Sequence, residues 1–490
     1  MTDINKLSLL IFGLLFTLNV SAQKFEVTYS SDVQSDVFTG SVVLYLSKEN
    51  KQPKNAFIAM ELPPVYRVEV NALLPNETVI FDDSAVSYPV ELSNIERGEY
   101  YVQAVFDRNL GGQYISMSPG NIYSEPIKVS IDKNFSKTYT LICNKVIDEI
   151  EFKETSHLKE LKLKSHLLSE FHSKEVFIAG AISLPENYYH NTKTNYPVIF
   201  STFGFGGSYK LHAAKGKYKF TQLDNTPAIV IYLDGNCSEG HSTYANSDIN
   251  GPWGDALVKE FIPELEKRYR TNGAKFLFGH SSGGWTSLWL QINYPNTFSG
   301  AWASSPDQVD FRNWQGENIY EVKNMYYDDQ GNLLSDILMG GSYPIISAKD
   351  LYRVENVIYR GEQIHSFDAV FSTRNKNGKI RRLVNHENGD INQDVLESFK
   401  RYDISYILQK NWEKYKSEIS GKIRISIGKE DNFHLQKAVY LLEQEMKELG
   451  GDIEFEYFPG DHFTVSTDEY KKEGQQFLNK CYRNWLDRNK

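Results

Sequence analysis

Eleven residues constrain this chain more than any other stretch. Lys275-Phe276-Leu277-Phe278 reads as a short apolar strand, Gly279-His280-Ser281-Ser282-Gly283 follows without a spacer, and Gly284-Trp285 begin a helical pattern. A G-x-S-x-G placed between strand and helix describes a very tight turn that thrusts a serine hydroxyl clear of a sheet. Glycine is needed on both flanks because a Cβ there would strike neighbouring backbone. The serine at the apex is Ser281; Ser282 does not fit, since two residues before it stands His280 rather than glycine.

A neutral serine needs a base to take its proton and a carboxylate to orient that base. On sheets of this kind the acid comes next in the chain and the histidine last. The sequence supplies both in that order. Gly428-Lys429-Glu430-Asp431-Asn432 follows an apolar run at 422–427, and Pro459-Gly460-Asp461-His462-Phe463 follows another at 453–458. Asp431 and His462 are therefore the expected partners of Ser281, with Glu430 and His434 as their competitors. His280 reads as packing beside the nucleophile, and Asp461 as shaping its loop.

An oxyanion formed by attack on a carbonyl needs two aimed donors. The N–H of Ser282 is one expectation. The other is the N–H of Phe205, with Gly204 as the alternative, in Thr202-Phe203-Gly204-Phe205-Gly206-Gly207-Ser208 after the apolar run at 196–201. That loop lacks both the Lys-Ser/Thr ending of a phosphate-binding loop and the glycine spacing of a dinucleotide site, so no nucleotide cofactor is expected.

Around these motifs the pattern changes once. From residue 24 to about 141 it has period two, with strand-like runs at 42–46, 56–62, 66–70, 100–106 and 126–131 that suggest an antiparallel β-sandwich. From about 176 onward short apolar runs alternate with helical stretches such as 255–269 and 436–449, the mark of a mostly parallel sheet covered on both faces. Residues 306–420 break that alternation and read as an insertion over the carboxyl edge of the sheet. The expected organisation is a leader at 1–22, a sandwich-like accessory domain at 23–145 and a catalytic domain at 146–490.

The leader expectation rests on Lys6, the apolar run at 7–18 and the small residues Val20-Ser21-Ala22, which suit cleavage near Gln23 and export to the periplasm or beyond. The run is too short to span a bilayer comfortably, and no later stretch reaches the roughly 18 apolar residues that a span requires. The net charge of −10, without a concentrated basic patch, argues against nucleic acid as a partner. Three scattered cysteines, Cys143, Cys237 and Cys481, allow at most one bridge and no cysteine-rich metal site.

Residues of about 160–485 resemble the α/β-hydrolase esterases of the putative-esterase (esterase D-like) family, which includes feruloyl and acetyl-xylan esterases of carbohydrate esterase family 1 and the enterochelin esterases. The resemblance is carried by Tyr196-Pro197-Val198 leading to Gly204-Phe205-Gly206-Gly207-Ser208, by Glu260-Phe261-Ile262-Pro263, by the Gly279 to Gly284 elbow, and by the Asp431 and His462 loops. Two departures stand out. Phe203-Gly204 replaces the usual His-Gly, and 150 residues separate Ser281 from Asp431, more than in compact members.

The resemblance implies acyl-ester hydrolysis through an acyl-enzyme, with no metal or other cofactor. Export and an aromatic-rich composition suit a carbohydrate-linked ester, and Tyr244, Trp253, Trp285 and Trp314 are candidate substrate contacts. Three alternatives remain open from sequence: a serine peptidase of the prolyl-oligopeptidase type, a non-catalytic carbohydrate-binding relative, and an acyl transferase. The acyl group, the alcohol and the oligomeric state are not specified by the sequence.

Overall fold

A computed structural model describes residues 24–132, 137–215 and 221–490. The expected leader and the start at Gln23 lie outside the described residues. Nine strands come first: β1 (Lys24–Tyr29), β2 (Phe38–Ser47), β3 (Val65–Leu73), β4 (Val79–Phe81), β5 (Val86–Tyr88), β6 (Gly98–Asp107), β7 (Ile122–Ser124), β8 (Ile127–Ile131) and β9 (Thr138–Val146). They pair in the order β4-β1-β9-β7-β6-β2-β3-β5, with β8 also against β6.

This front region is therefore one continuous sheet and not the two sheets of the expected sandwich. It still encloses a core. Tyr29 on β1 lies three strands from β6 along that order, about 14 Å in a flat sheet. Its ring centre is nevertheless 5.3 Å from that of Phe106 on β6. The sheet curls over its own apolar face, burying Phe25, Val27, Val42, Leu44 and Phe106 together. Residues 56–62 are not the expected strand: a 3-10 turn at Pro53–Asn55 leads into the short helix Ile58–Glu61. Pro53 presets the turn, and Pro63-Pro64 have no N–H to give a sheet.

The second sheet holds β10 (Leu158–Lys164), β11 (Phe177–Ser183), β12 (Tyr196–Thr202), β13 (Ile229–Leu233), β14 (Thr271–His280), β15 (Gly300–Ser304), β16 (Ile423–Gly428) and β17 (Glu454–Phe458). Their order is β10-β11-β13-β12-β14-β15-β16-β17. β10 and β11 join the edge antiparallel, and the other six strands run parallel. β13, β15 and β16 are buried along their whole length, because helices cover both faces. Val439 and Leu442 of the helix Leu435–Glu448 share one apolar cluster with Ile423, Ile425 and Ile427. Phe477 and Leu478 of the helix Asp468–Arg488 pack with Phe276 and Trp302 in another.

The segment between β15 and β16 is more regular than its polar tracts suggest. It forms a hairpin of Ser335–Met339 with Tyr343–Ser347 and the helices Ala348–Ile358, Gln363–Phe371, Gln393–Lys400 and Ile404–Ile419. Val354, Val357 and Ile358 of the first of these helices pack against Val43, Tyr45, Val65 and Val105 of the front sheet. Just beyond that helix, Arg360 is fully buried. It forks onto Asp107 at the end of β6 (Nε to Oδ2 2.6 Å, Nη2 to Oδ1 2.5 Å) and donates through Nη1 to the carbonyls of Gly112, Gln113 and Ser238.

All three cysteines are buried and free. Among the described residues no helix is long and apolar enough to cross a membrane.

Candidate active site

β14 lies between β12 and β15, so the loops leaving the carboxyl ends of these three strands are neighbours. β14 delivers Ser281. Its φ of 59° and ψ of −128° are strained for a residue with a side chain, as expected of a serine held at the apex of a strand-to-helix turn. The surroundings explain the glycines. A Cβ on Gly279 would stand 2.0 Å from the Gly283 carbonyl oxygen, and one on Gly283 would stand 2.1 Å from that of Thr202. Both contacts are with backbone, which cannot give way.

β16 and β17 deliver the other two expected residues. Asp431 is fully buried and its Oδ2 lies 2.8 Å from Nδ1 of His462, which is 4% exposed. The N–H of His462 also donates to Asn432 Oδ1 at 3.1 Å, which fixes the loop behind the ring. Burial works against the charged imidazole, but the Asp431 carboxylate outweighs it and holds His462 above its ordinary range, with Asp307 acting in the same direction. The competitors stand elsewhere. Glu430 is exposed, and His434 bonds through Nε2 to the Ser335 carbonyl, tying down the hairpin. Asp461 accepts from the backbone N–H groups of Phe463 and Thr464, shaping the histidine loop. His280 packs its ring 4.6 Å from that of His462 and bonds Ser304 Oγ.

Ser281 and His462 open on one cavity of about 240 Å³, together with Gly204 and Phe205 of the loop after β12. A Cβ on Gly204 would lie 3.0 Å from the His280 carbonyl oxygen and 3.1 Å from Ser281 Cβ, so any side chain here would press the elbow by a few tenths of an ångström. Much of the remaining wall is apolar and comes from three places: Phe433 and Phe463 beside the acid and histidine, Ile337 and Phe367 from the segment between β15 and β16, and Phe57 and Ala59 from the front region.

Two findings depart from expectation. Tyr244, Trp253, Trp285 and Trp314 are buried and none lines this cavity. Trp285 stacks on Trp289 inside the helix that follows the elbow, Tyr244 meets Trp253 edge-on, and Trp314 packs against Phe367. Large rings near a motif were drawn into the apolar interior instead of the site.

The second departure is Asp307, which sequence reasoning missed. It follows β15, is 6% exposed, and lines the cavity. The Ser281 hydroxyl donates to its Oδ1 at 3.3 Å and the Ser282 hydroxyl to its Oδ2 at 2.5 Å. Burial pushes its carboxyl up to about 6, against the pull of those two hydroxyls and of His462. The available signal was a carboxylate a few residues past the strand-like run at 300–303.

A family model described as "Putative esterase" matches residues 175–464, more than half of the chain. No curated protein matches. Among solved structures, the chain is similar to a ferulic acid esterase (15% identity, covering 67% of this chain and 98% of that one, TM-score 0.40). It is also similar to a fluorophosphonate-binding serine hydrolase of Staphylococcus aureus (15% identity, 66% and 98% covered, TM-score 0.39). A third is an S-formylglutathione hydrolase from Agrobacterium tumefaciens (15% identity, 67% and 93% covered, TM-score 0.36). With the family model spanning Ser281, Asp431 and His462, the chain belongs to the Putative esterase family and is an ester-hydrolysing enzyme.

Proposed function

We propose that this enzyme is an exported serine carboxylic-ester hydrolase that removes feruloyl- or acetyl-type acyl groups from a polysaccharide or a related ester. One observation carries the reading: a single cavity collects Ser281 on its strained turn and His462 already bonded to buried Asp431. Ser281 Oγ attacks the ester carbonyl as its proton passes to His462, and the carbonyl electrons move onto oxygen beside the N–H groups of Phe205 and Ser282. Collapse expels the alcohol, which takes the proton from His462. Water then repeats the sequence on the acyl-enzyme and releases the acid.

Asp431 orients the imidazole and stabilises its charged form. An acetyl group would leave most of the 240 Å³ cavity empty, and its phenylalanine-rich wall suits an aromatic acyl group better. Export is supported by the leader-like residues 1–22 and is read by the N-terminus of protein recovered outside the cytoplasm, expected at Gln23.

The test is a panel of p-nitrophenyl acyl esters alongside a proline-containing amide. Wild type hydrolyses the esters. Ser281→Ala and His462→Ala each remove nearly all activity, with little further loss in the double variant because the residues act as a unit. Faster cleavage of the amide would point instead to a peptidase, and hydrolysis of neither to a binding protein.

A further inference from the structure

We propose that Asp307 is a positioning residue for the nucleophile: in the resting enzyme it takes the hydrogen bond of the Ser281 hydroxyl that His462 needs, and the hydroxyl turns to His462 as substrate enters. The inference rests on the reading of Ser281 as nucleophile.

The geometry behind it is tight. Asp307 is fixed at three points, by its own N–H on the Ser281 carbonyl at 3.3 Å and by the hydroxyls of Ser281 and Ser282 on its two carboxylate oxygens. The Ser282 hydroxyl is itself backed by Gln363 Nε2 at 3.5 Å. A carboxylate pinned in this way is a stronger acceptor for the Ser281 proton than water would be. It therefore competes with the imidazole for the one proton whose transfer starts the reaction.

Asp307 acts on the base as well. Its charge helps to hold His462 protonated, in the same sense as Asp431. The ionisable groups facing it are His462 and Asp431 from the loops after β17 and β16, and His280 beside the elbow. Asp336 and Glu355 lie across the same cavity; burial raises their carboxyls to about 7 and about 8. His462 serves as base only when neutral. Removing the Asp307 charge lowers the pKa of His462, so activity persists to lower pH.

The experiment uses the full chain as wild type, Asp307→Asn and Ser282→Ala. A fluorophosphonate reads the nucleophile directly, because Ser281 Oγ bonds to phosphorus as fluoride leaves, and p-nitrophenyl acetate reads turnover against pH. In Asp307→Asn the labelling rate is expected to rise on the order of three- to tenfold, the scale of one ordinary intramolecular hydrogen bond, as suits a contact of 3.3 Å. The acid limb of kcat/KM is expected to move to lower pH. An unchanged or slower labelling rate, or an unmoved acid limb, overturns the proposal.

Ser282→Ala keeps the charge but removes its 2.5 Å donor. The carboxylate then depends more on Ser281, and labelling slows by a similar factor. This arm decides the question even where Asp307→Asn fails to fold, since unchanged labelling in it counts against the proposal. Wild type that is neither labelled at Ser281 nor active on the ester refutes the nucleophile assignment itself. Normal wild-type labelling with unaltered variants refutes only the role of Asp307.

Discussion

Arg360→Met removes a guanidinium that is fully buried and makes five hydrogen bonds: two to Asp107 and three to the carbonyls of Gly112, Gln113 and Ser238. Methionine fills much of the same volume, so the loss is electrostatic. It strands the Asp107 carboxylate, itself fully buried, with the Tyr359 hydroxyl, Asn121 and the Asn109 N–H as its remaining partners. Breaking a buried pair on one side costs about 3–5 kcal/mol, mostly for the charge left behind. Near the middle of that range, with the two parts unfolding as one unit of more than 450 residues, the melting temperature falls by roughly 4 °C.

The effect reaches the candidate site because Glu355, Gln363 and Ile364, on either side of Arg360, line the cavity on which Ser281 and His462 open. Differential scanning calorimetry reads the stability, and kcat/KM for a bulky aryl ester against the acetyl ester reads the cavity; the bulky ester loses more. Replacing both partners by apolar residues, Arg360→Met with Asp107→Leu, recovers about 2 kcal/mol or more relative to additivity. A melting temperature within about 2 °C of wild type for Arg360→Met alone would falsify the idea that this pair locks the two parts together.

Two further outcomes are expected. Asp431→Asn lowers kcat/KM by about 10³- to 10⁴-fold through loss of the carboxylate that orients His462, while Glu430→Gln, which alters an exposed side chain, changes it by less than about twofold; the reverse ranking in steady-state kinetics would show the acid misassigned. Gly204→Ala places a methyl 3.1 Å from Ser281 Cβ, so kcat falls by about 10- to 100-fold while the melting temperature moves by only a few degrees; retained kcat would remove the loop after β12 from the site.

The sequence made the elbow legible because its glycines answer to backbone contacts near 2 Å, a constraint few other local patterns impose. Asp431 and His462 were legible because each lies in a short Gly-containing loop after an apolar run, and the parallel strands β16 and β17 carry both to the same edge. Asp307 was not. Ser304-Ser305-Pro306-Asp307 reads as an ordinary turn until β15 is known to lie beside β14. Phe57 and Ala59 were misread for a related reason. Apolar alternation at 56–62 looks like strand, and only the neighbouring prolines and the packing of the front region turn it into a short helix beside the cavity. Trp285 went wrong because a ring one turn past the elbow points along a helix that is buried on every side.

The seam between the curled front sheet and the helix Ala348–Ile358 decides how this molecule can be taken apart. A polypeptide that began after Val146 would turn Val354, Val357 and Ile358 out to water, leave the Arg360 guanidinium without its anion, and lack the two side chains that wall one side of the cavity. The stretch that matches the family thus shares an apolar seam, a buried ion pair and one wall of its cavity with the front sheet region. Trimming it to the length of a compact esterase is expected to leave that seam wet and the cavity open on one side.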